Sequence, residues 1–303
     1  MEKTDVKFDK ALFLYNGNAG NDELKWKLAK TLPVLAEGIR DLRVVMTSSA
    51  EEAVYVCRKH SKEVDLLIIL GGDGTVHQCI NSISGLTHRP VLAILPGGTS
   101  NDFSRMLGMP QDLEQAAAAL LEGEVMNIDV GTENERYFLN FWGIGLVAET
   151  SRNIDAEQKR NLGVLSYFMS TIRTVNQAEP FYYKIVADGA TYEDEAVLVI
   201  VLNGKFLGTR EVPIPSIQAD DGLLDVLVVK TSTLASFREL LSIRNPNADM
   251  ERFRELEHFQ AKEVNITTQA SKEADMDGEL VGATPANISI LPHHLQIIGF
   301  SQQ

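Results

Sequence analysis

The feature that most narrows the fold of this chain is an apolar run, residues 66–70, ending directly in Gly71-Gly72-Asp73-Gly74-Thr75. A short run with no polar alternation suits a strand buried on both faces at the centre of a parallel sheet. A helical pattern follows from about Val76, so the glycines mark a strand-to-helix turn. Three glycines there let the backbone approach a ligand closely, and turn amides with a helix N-terminus can bind an anion. Thr75 adds a hydroxyl donor, and Asp73 can act through a metal ion or an ordered water. A tight turn with a capping Asp is the plainer alternative, but five specified residues at the carboxyl end of a central strand favour phosphate binding.

The surrounding sequence repeats this strand–turn–helix alternation. Strands are predicted over 11–15, 42–46, 91–95 and 125–130, and helices over 23–35, 76 onward, through Leu107, and 113–121. Ser49 and Glu52 form a capping-box pattern for a helix running to about His60. The expected class is therefore α/β, a doubly wound domain over residues 1–130 with ligands at the carboxyl ends of its strands. From about residue 131 the pattern changes. Strand-like runs at 137–142, 181–186, 196–202, 224–230, 264–268 and 288–291 are separated by turn signals such as Asp188-Gly189 and Asp221-Gly222. This half, residues 131–291, reads as a mostly antiparallel β-sandwich domain with helices at about 162–177, 234–243 and 250–257.

Two more polar, glycine-rich stretches follow predicted strands: Asn16-Gly17-Asn18-Ala19-Gly20, and Pro96-Gly97-Gly98-Thr99-Ser100-Asn101-Asp102-Phe103. Each alone could be a simple connection. All three on one edge of one sheet would make a single phosphate-binding rim. No Gly-x-x-x-x-Gly-Lys-[Ser/Thr] motif is present. Gly143-Ile144-Gly145-Leu146-Val147-Ala148 matches a dinucleotide fingerprint on paper, but it lacks the surrounding βαβ unit and the downstream acid, so a bend within the β half is expected. Asp221 reads equally as a turn residue or a metal ligand, and Glu279 equally as a turn residue or a base. The pair His293-His294 lacks a third ligand and reads as a solvated loop.

Composition limits the partners. Lys and Arg number 28 and Asp and Glu 42, a net charge of −14. No basic stripe exists for DNA or RNA, so an anionic ligand would have to be held by backbone amides, a metal, or a few placed cations. Two cysteines in no metal or redox spacing point to a reducing cytosol. The N-terminal residues lack the apolar stretch of a signal peptide, and no apolar run approaches the roughly 20 residues of a membrane-spanning helix. A cytoplasmic protein meeting a membrane only at its surface is expected, and the sequence leaves a homodimer open.

Taken together, these motifs resemble the diacylglycerol kinase catalytic-domain family, which includes soluble bacterial lipid kinases and the sphingosine and ceramide kinases. Gly71–Thr75 resembles its nucleotide loop, Asn16–Gly20 its Asn-Pro-x-[Ser/Ala]-Gly loop, and Pro96–Phe103 with Arg105 its Pro-x-Gly-Thr-x-Asn-Asp-[Phe/Leu]-Ala-Arg segment. Asp221-Gly222-Leu223-Leu224-Asp225 resembles the family's aspartate-glycine hairpin, and Asp277-Gly278-Glu279 its C-terminal Asp-Gly-Glu. The resemblance implies two domains with a cleft between them and a last segment, 292–303, returning to the first domain. It implies ATP bound by Asn16, Gly17, Asn18, Ala19, Gly20, Thr47, Gly71, Gly72, Asp73, Gly74, Thr75, Val76, His77 and Thr99. It implies Mg²⁺ held by Asp221 with the carbonyls of Gln218 and Leu223, Glu279 as general base with Asp73 assisting, and a lipid acceptor at a membrane surface. Two positions depart from the family: Asn16-Gly17 replaces Asn-Pro, and His77-Gln78 replaces Asn-Glu, removing a carboxylate near the phosphates. The competing readings are a small-molecule kinase of the NAD kinase or phosphofructokinase type, which shares Gly-Gly-Asp-Gly, and a nucleotide-binding regulator without turnover. The Thr-Pro-Thr-Gly-Ser-Thr-like segment of NAD kinases is missing here, and Pro96–Phe103 points to the lipid kinases.

Overall fold

The computed structural model describes residues 8–17, 21–153, 179–243 and 253–300. The chain folds as two units, one reaching to Ile128 and resuming at His293, the other spanning Asp129–Pro292.

The first unit is built on parallel strands. β1 (Phe8–Asn16), α1 (Asn21–Gly38), β2 (Ile39–Thr47), α2 (Ala50–His60), β3 (Leu66–Gly71), α3 (Asp73–Ile83), β4 (Val91–Pro96), α4 (Asp102–Met106) and α5 (Leu113–Glu122) follow in order. The strands lie as β2-β1-β3-β4. Successive side chains in a strand point to opposite faces. Phe13, Ile68 and Ala93 therefore pack with Leu35 of α1 and with Leu113, Ala116 and Leu120 of α5. Leu12, Leu67 and Ile94 are equally buried on the other face, where α2 and α3 pack against each other and the sheet. Burial on both faces is why β3 has no polar residue before Gly71. Ser49 caps α2 by accepting the Glu52 N–H at 3.2 Å, but the Glu52 carboxylate turns back to the amide and hydroxyl of Ser48, not to Ser49.

α3 begins at Asp73, three residues before the predicted start. Gly72 is its extended N-cap, so Asp73, Gly74 and Thr75 form its first turn instead of a loop. Acidic Asp73 suits the positive end of the helix dipole, which overrides the glycine's poor helix propensity.

The second unit pairs two antiparallel layers. After β5 (Glu124–Glu133) come β6 (Arg136–Phe138), β7 (Phe141–Gly145), α6 (Leu146–Asn153), β8 (Phe181–Ala187), β9 (Ala190–Ala196), β10 (Leu198–Leu202), β11 (Phe206–Leu207), β12 (Arg210–Glu211), β13 (Leu224–Val229), α7 (Leu234–Ser242), β14 (Leu256–Ala261), β15 (Glu263–Thr268), β16 (Glu273–Met276), β17 (Glu279–Ala283) and β18 (Ala286–Gly299). One layer runs β14-β13-β10-β7-β16-β17; the other has β15 between β8 and the first half of β18. Trp142, Val201 and Met276 of the first layer meet Tyr183, Ile266 and Ile288 of the second in a common core. The outer face of the six-stranded layer is covered too, with Ile200 and Leu227 packed against Leu240 of α7 and Leu146 of α6. β18 then runs on into the first unit, where Ile297 pairs in parallel with Leu92 of β4.

Several expectations are corrected. The 137–142 run is two strands, β6 and β7, because the Asp277 carboxylate captures the amides of Leu139, Asn140 and Phe141 at 2.8–3.0 Å. Gly143–Ala148 is not a bend but a strand-to-helix junction, turned at Gly145 with φ +82°. The helix expected at 250–257 is not found in its described part: residues 253–255 are not helical and Leu256 opens β14. There the Glu239 carboxylate accepts the amides of Arg254, Glu255 and Leu256, and β14 pairs with β13. The 196–202 run is likewise divided, Ala196 ending β9 and Leu198 opening β10. His293 and His294 lie within β18, and His294 bonds the Ser84 carbonyl at 2.9 Å. The helix expected at 162–177 lies outside the described residues.

Phe13 is fully buried in the middle of β1. Phe13→Ala is expected to lower unfolding free energy by about 3–5 kcal/mol. Urea denaturation read by far-ultraviolet circular dichroism checks this; a loss below 1 kcal/mol would show that β1 is not central to the core.

Candidate active site

In the first unit the carboxyl ends of β1, β3 and β4 lie side by side, because β3 pairs with β1 on one side and β4 on the other. Their glycine-rich loops are interlocked. Gly97 donates its amide to the Gly71 carbonyl at 2.9 Å. A Cβ on Gly98 would stand 2.4 Å from the Gly72 Cα, and one on Gly97 would stand 2.8 Å from the Gly71 nitrogen. No side chain fits at either position, so glycine is required here by close backbone approach. Asp73 Oδ1 accepts the Asp102 amide at 2.8 Å, tying the start of α3 to the start of α4. Asn101, in the left-handed region at φ 51°, accepts the Gly98 amide and donates to the Gly98 carbonyl. Arg105 Nε donates to the Ser100 carbonyl.

These loops wall a pocket of about 160 Å³ lined by Tyr15, Asn16, Leu24, Lys27, Leu70, Gly71, Gly72, Thr75 and Gly97. Of the ATP-site residues expected from sequence, Asn16, Gly71, Gly72 and Thr75 meet there. Gly17 sits beside it and donates to the Thr47 carbonyl at 2.8 Å. Thr47 is buried and its hydroxyl donates to the Tyr15 carbonyl, so it stitches β1 to β2. Val76 and His77 are buried on α3, with His77 bonded to Asn81, and neither lines the pocket. Thr99 is exposed outside the lining, and Gly74 lies within the first turn of α3. Asn18, Ala19 and Gly20 lie outside the described residues. Gly97, of the expected phosphate-binding rim, lines the pocket too, while sequence reasoning missed Tyr15, Leu24, Lys27 and Leu70 as lining residues. The readable signal was a lysine flanking the apolar stripe of the helix that follows the first glycine-rich loop. The backbone cradle that a Cβ would fill suits the phosphates of a nucleotide.

The second unit carries the carboxylates. Asp129 is fully buried and accepts the Gly222 amide at 2.7 Å, which holds the Asp221-Gly222 turn with Gly222 at φ 73°. Asp221 is exposed, and its Oδ1 accepts the Leu223 amide at 2.9 Å. Partial burial raises the Asp221 carboxyl above its ordinary range. The Leu223 amide opposes the shift, and the charges of Asp225, Asp129 and Asp220 reinforce it. Asp225 is buried and saturated, taking bonds from Ser216, His258 and Gln260. Gln218 is exposed and Leu223 half-buried in the segment leading to β13. Among the described residues no group of three or more His, Cys, Asp or Glu side chains is placed to share a metal. A Mg²⁺ ion fits all the same, because it accepts one carboxylate with carbonyls and waters, and a carboxylate crowded by three others gains from a cation.

Glu279 opens β17 and is exposed. It follows a hairpin turn in which Asp277 (φ 54°) and Gly278 (φ 91°) are both left-handed. Asp277 fixes that turn through its three amide bonds, and Asp275 accepts the Gly278 amide at 2.7 Å. Glu279 and Asp221 thus sit on rigidly clamped turns of the second unit, while the glycine loops belong to the first.

With this geometry established, the comparisons with known proteins are consistent. Residues 10–132 match the diacylglycerol kinase catalytic domain, and residues 143–299 match the YegS C-terminal NAD kinase beta sandwich-like domain. The chain belongs to the diacylglycerol kinase catalytic-domain family, with a YegS-type second domain. A Staphylococcus aureus (strain Mu3) protein named "Putative lipid kinase" is 28% identical over 297 residues, covering 96% of this chain and 97% of its own. A Bacillus anthracis structure described as "a putative diacylglycerol kinase" superposes with a TM-score of 0.89 at 44% identity, over 98% of this chain and 99% of that one. A second Bacillus anthracis structure, described as a diacylglycerol kinase, gives 0.84 at 42% identity over 97% and 98%.

Two tests follow from the clamps. Asp277→Ala leaves three amides without their acceptor, and a buried donor left unpaired costs about 1–3 kcal/mol. Asp277→Ala should therefore lose stability by about 2 kcal/mol in chemical denaturation, and Asp277→Asn distinctly less; equal stability of both variants and the parent would remove the clamp. Gly98→Ala should displace Gly72, lower the melting temperature, and weaken nucleotide binding at least tenfold in calorimetry run where the variant is still folded. An unchanged affinity would show that the interlock does not shape the pocket.

Proposed function

We propose that the protein transfers the terminal phosphate of ATP to the hydroxyl of a diacylglycerol-like lipid, with Mg²⁺ as cofactor. The observation that carries this reading is the glycine-walled pocket at the carboxyl edge of the parallel sheet, in a chain of the diacylglycerol kinase catalytic-domain family. Phosphoryl transfer is mostly positioning and charge neutralisation. The backbone at Gly71 and Gly72, the Thr75 hydroxyl and Asn16 position the phosphates. Asp73, engaged with the Asp102 amide, holds the loop in register. Asp221, with the carbonyls of Gln218 and Leu223, would hold Mg²⁺, which would supply the positive charge that phosphoryl transfer needs. The Glu279 carboxylate accepts the proton of the lipid hydroxyl as it attacks. No helix among the described residues is long and apolar enough to cross a membrane, which accords with a cytoplasmic enzyme that reaches its lipid from the membrane surface. The test is incubation of the protein with radiolabelled ATP, Mg²⁺ and a total lipid extract, followed by thin-layer separation. Label in a phosphatidic-acid-like product supports the reading, and label only in water-soluble products overturns it.

Glu279→Gln keeps the shape of the side chain and removes the proton acceptor. It should lower kcat by about 10²–10⁴-fold and leave ATP affinity unchanged, with the effect on kcat larger than on KM. A variant within a few-fold of the parent across the pH profile would exclude Glu279 as base. A second expectation concerns Asp221. Its raised carboxyl pKa means that protons compete with the cation at higher pH than at an ordinary aspartate. Apparent Mg²⁺ affinity, measured by calorimetry, should fall as the pH drops from neutral, and Asp221→Asn should show little affinity and no pH dependence. A pH-independent affinity in the parent would place the metal elsewhere.

A further inference from the structure

We infer that Lys27 is a phosphate-binding residue of the nucleotide pocket, donating to the polyphosphate from α1. The inference rests on the nucleotide reading of that pocket and adds a residue to it. Lys27 carries the one charged side chain among the nine described lining residues. Its side chain is only 13% exposed, and Nζ donates to the Gly97 carbonyl at 2.7 Å and to Glu23 Oε1 at 2.7 Å. An ammonium has three N–H donors. Among the described residues these two partners take two of them, which leaves the third for a ligand in the pocket.

The chemistry of the pocket calls for such a group. A cavity of about 160 Å³ is smaller than the roughly 300–1,000 Å³ that encloses a drug-sized molecule, so it takes one part of a nucleotide. Walls of glycine backbone at Gly71, Gly72 and Gly97 fit phosphate oxygens. The start of α3 would attract them through its dipole, but Asp73 occupies the first helical position and its negative charge opposes an anion there. In a chain of net charge −14, an offsetting cation close to the phosphates must be a placed one. Lys27 is tethered to the Gly97 loop itself, so its charge is held at the glycine wall before any ligand arrives. Glu23, one helical turn away, balances that charge in the unliganded pocket and competes with the ligand for it.

The test is calorimetry without turnover, with ATP, inorganic tripolyphosphate and adenosine as separate titrants. Lys27→Met retains the aliphatic stem and removes the charge. A charge-assisted bond lost from the complex should weaken ATP and tripolyphosphate by about 10–100-fold, with adenosine within twofold. Lys27→Arg should recover part of the loss, and Glu23→Gln should bind tripolyphosphate a few-fold more tightly than the parent. Matching thermal melts exclude misfolding as the cause. Lys27→Met binding ATP and tripolyphosphate like the parent would overturn the assignment to Lys27 alone. Equal losses for adenosine and ATP would also overturn it, since the pocket would then hold the base. A parent that binds neither ATP nor tripolyphosphate would overturn the nucleotide reading and this inference with it.

Discussion

The first unit depends on backbone meeting backbone between the loops after β3 and β4. Gly98 stands so close to Gly72 that a methyl group would lie 2.4 Å from its Cα, and the Gly97 amide bonds the Gly71 carbonyl. Parallel pairing of β3 with β4 brings the two loops to the same edge, and glycine alone lets them touch. The Asp73–Asp102 and Asn101–Gly98 bonds then fix the contact from either side. Interlocked loops leave a rigid wall of amides and carbonyls with no side chains, and a wall of that kind can approach a polyphosphate without reorganising. Preorganised dipoles of this sort are the largest lever that proteins have over charge transfer.

The second unit achieves rigidity by different means. Its turns are clamped by carboxylates that reach far along the sequence: Asp129 to Gly222, Asp277 to Leu139–Phe141, and Glu239 to Arg254–Leu256. Each bonds backbone N–H groups, and charge-assisted bonds of this kind are roughly twice as strong as neutral ones. An acidic composition is therefore partly structural: many of the excess carboxylates stitch loops instead of facing solvent.

The sequence was legible where one local rule decided the outcome. β3 and β4 are buried on both faces, so their apolar runs marked them. Ser49 and Asp112 cap their helices as side chains of that type do. Legibility failed where tertiary contacts decided. β9 is an exposed strand of threonine and acidic residues, and only its hairpin with β8 makes it a strand. Leu256 and Glu257, read from sequence as the end of a helix, open β14 instead, held by β13 and Glu239. Nothing local singles out Lys27 among the lysines of α1, because the Gly97 carbonyl it reaches is 70 residues away. Asp277 was noticed as part of a motif, but its three amide partners lie 136–138 residues upstream, beyond any spacing rule.

Which carboxylates can take part in chemistry follows from how fully each is engaged. A carboxylate holds about four lone-pair sites, and one that already accepts several donors has few left for a metal or a substrate. Asp225 accepts from Ser216, His258 and Gln260, and Asp277 accepts from three amides, so both are suited to holding shape. Asp221 accepts one local amide, and partial burial, reinforced by nearby like charges, raises the energy of its ionised form. Glu279, among the described residues, is exposed at the start of β17 beside a turn that others hold in place. An unsaturated carboxylate on a clamped turn combines reactivity with fixed position, which neither a saturated clamp nor a mobile surface acid can do. This contrast is what supports assigning the metal to Asp221 and the proton to Glu279 in the proposed reaction. The Asp-Gly pairs at both turns of this chain share one device: the left-handed glycine makes the turn, and a neighbouring or distant aspartate makes it rigid.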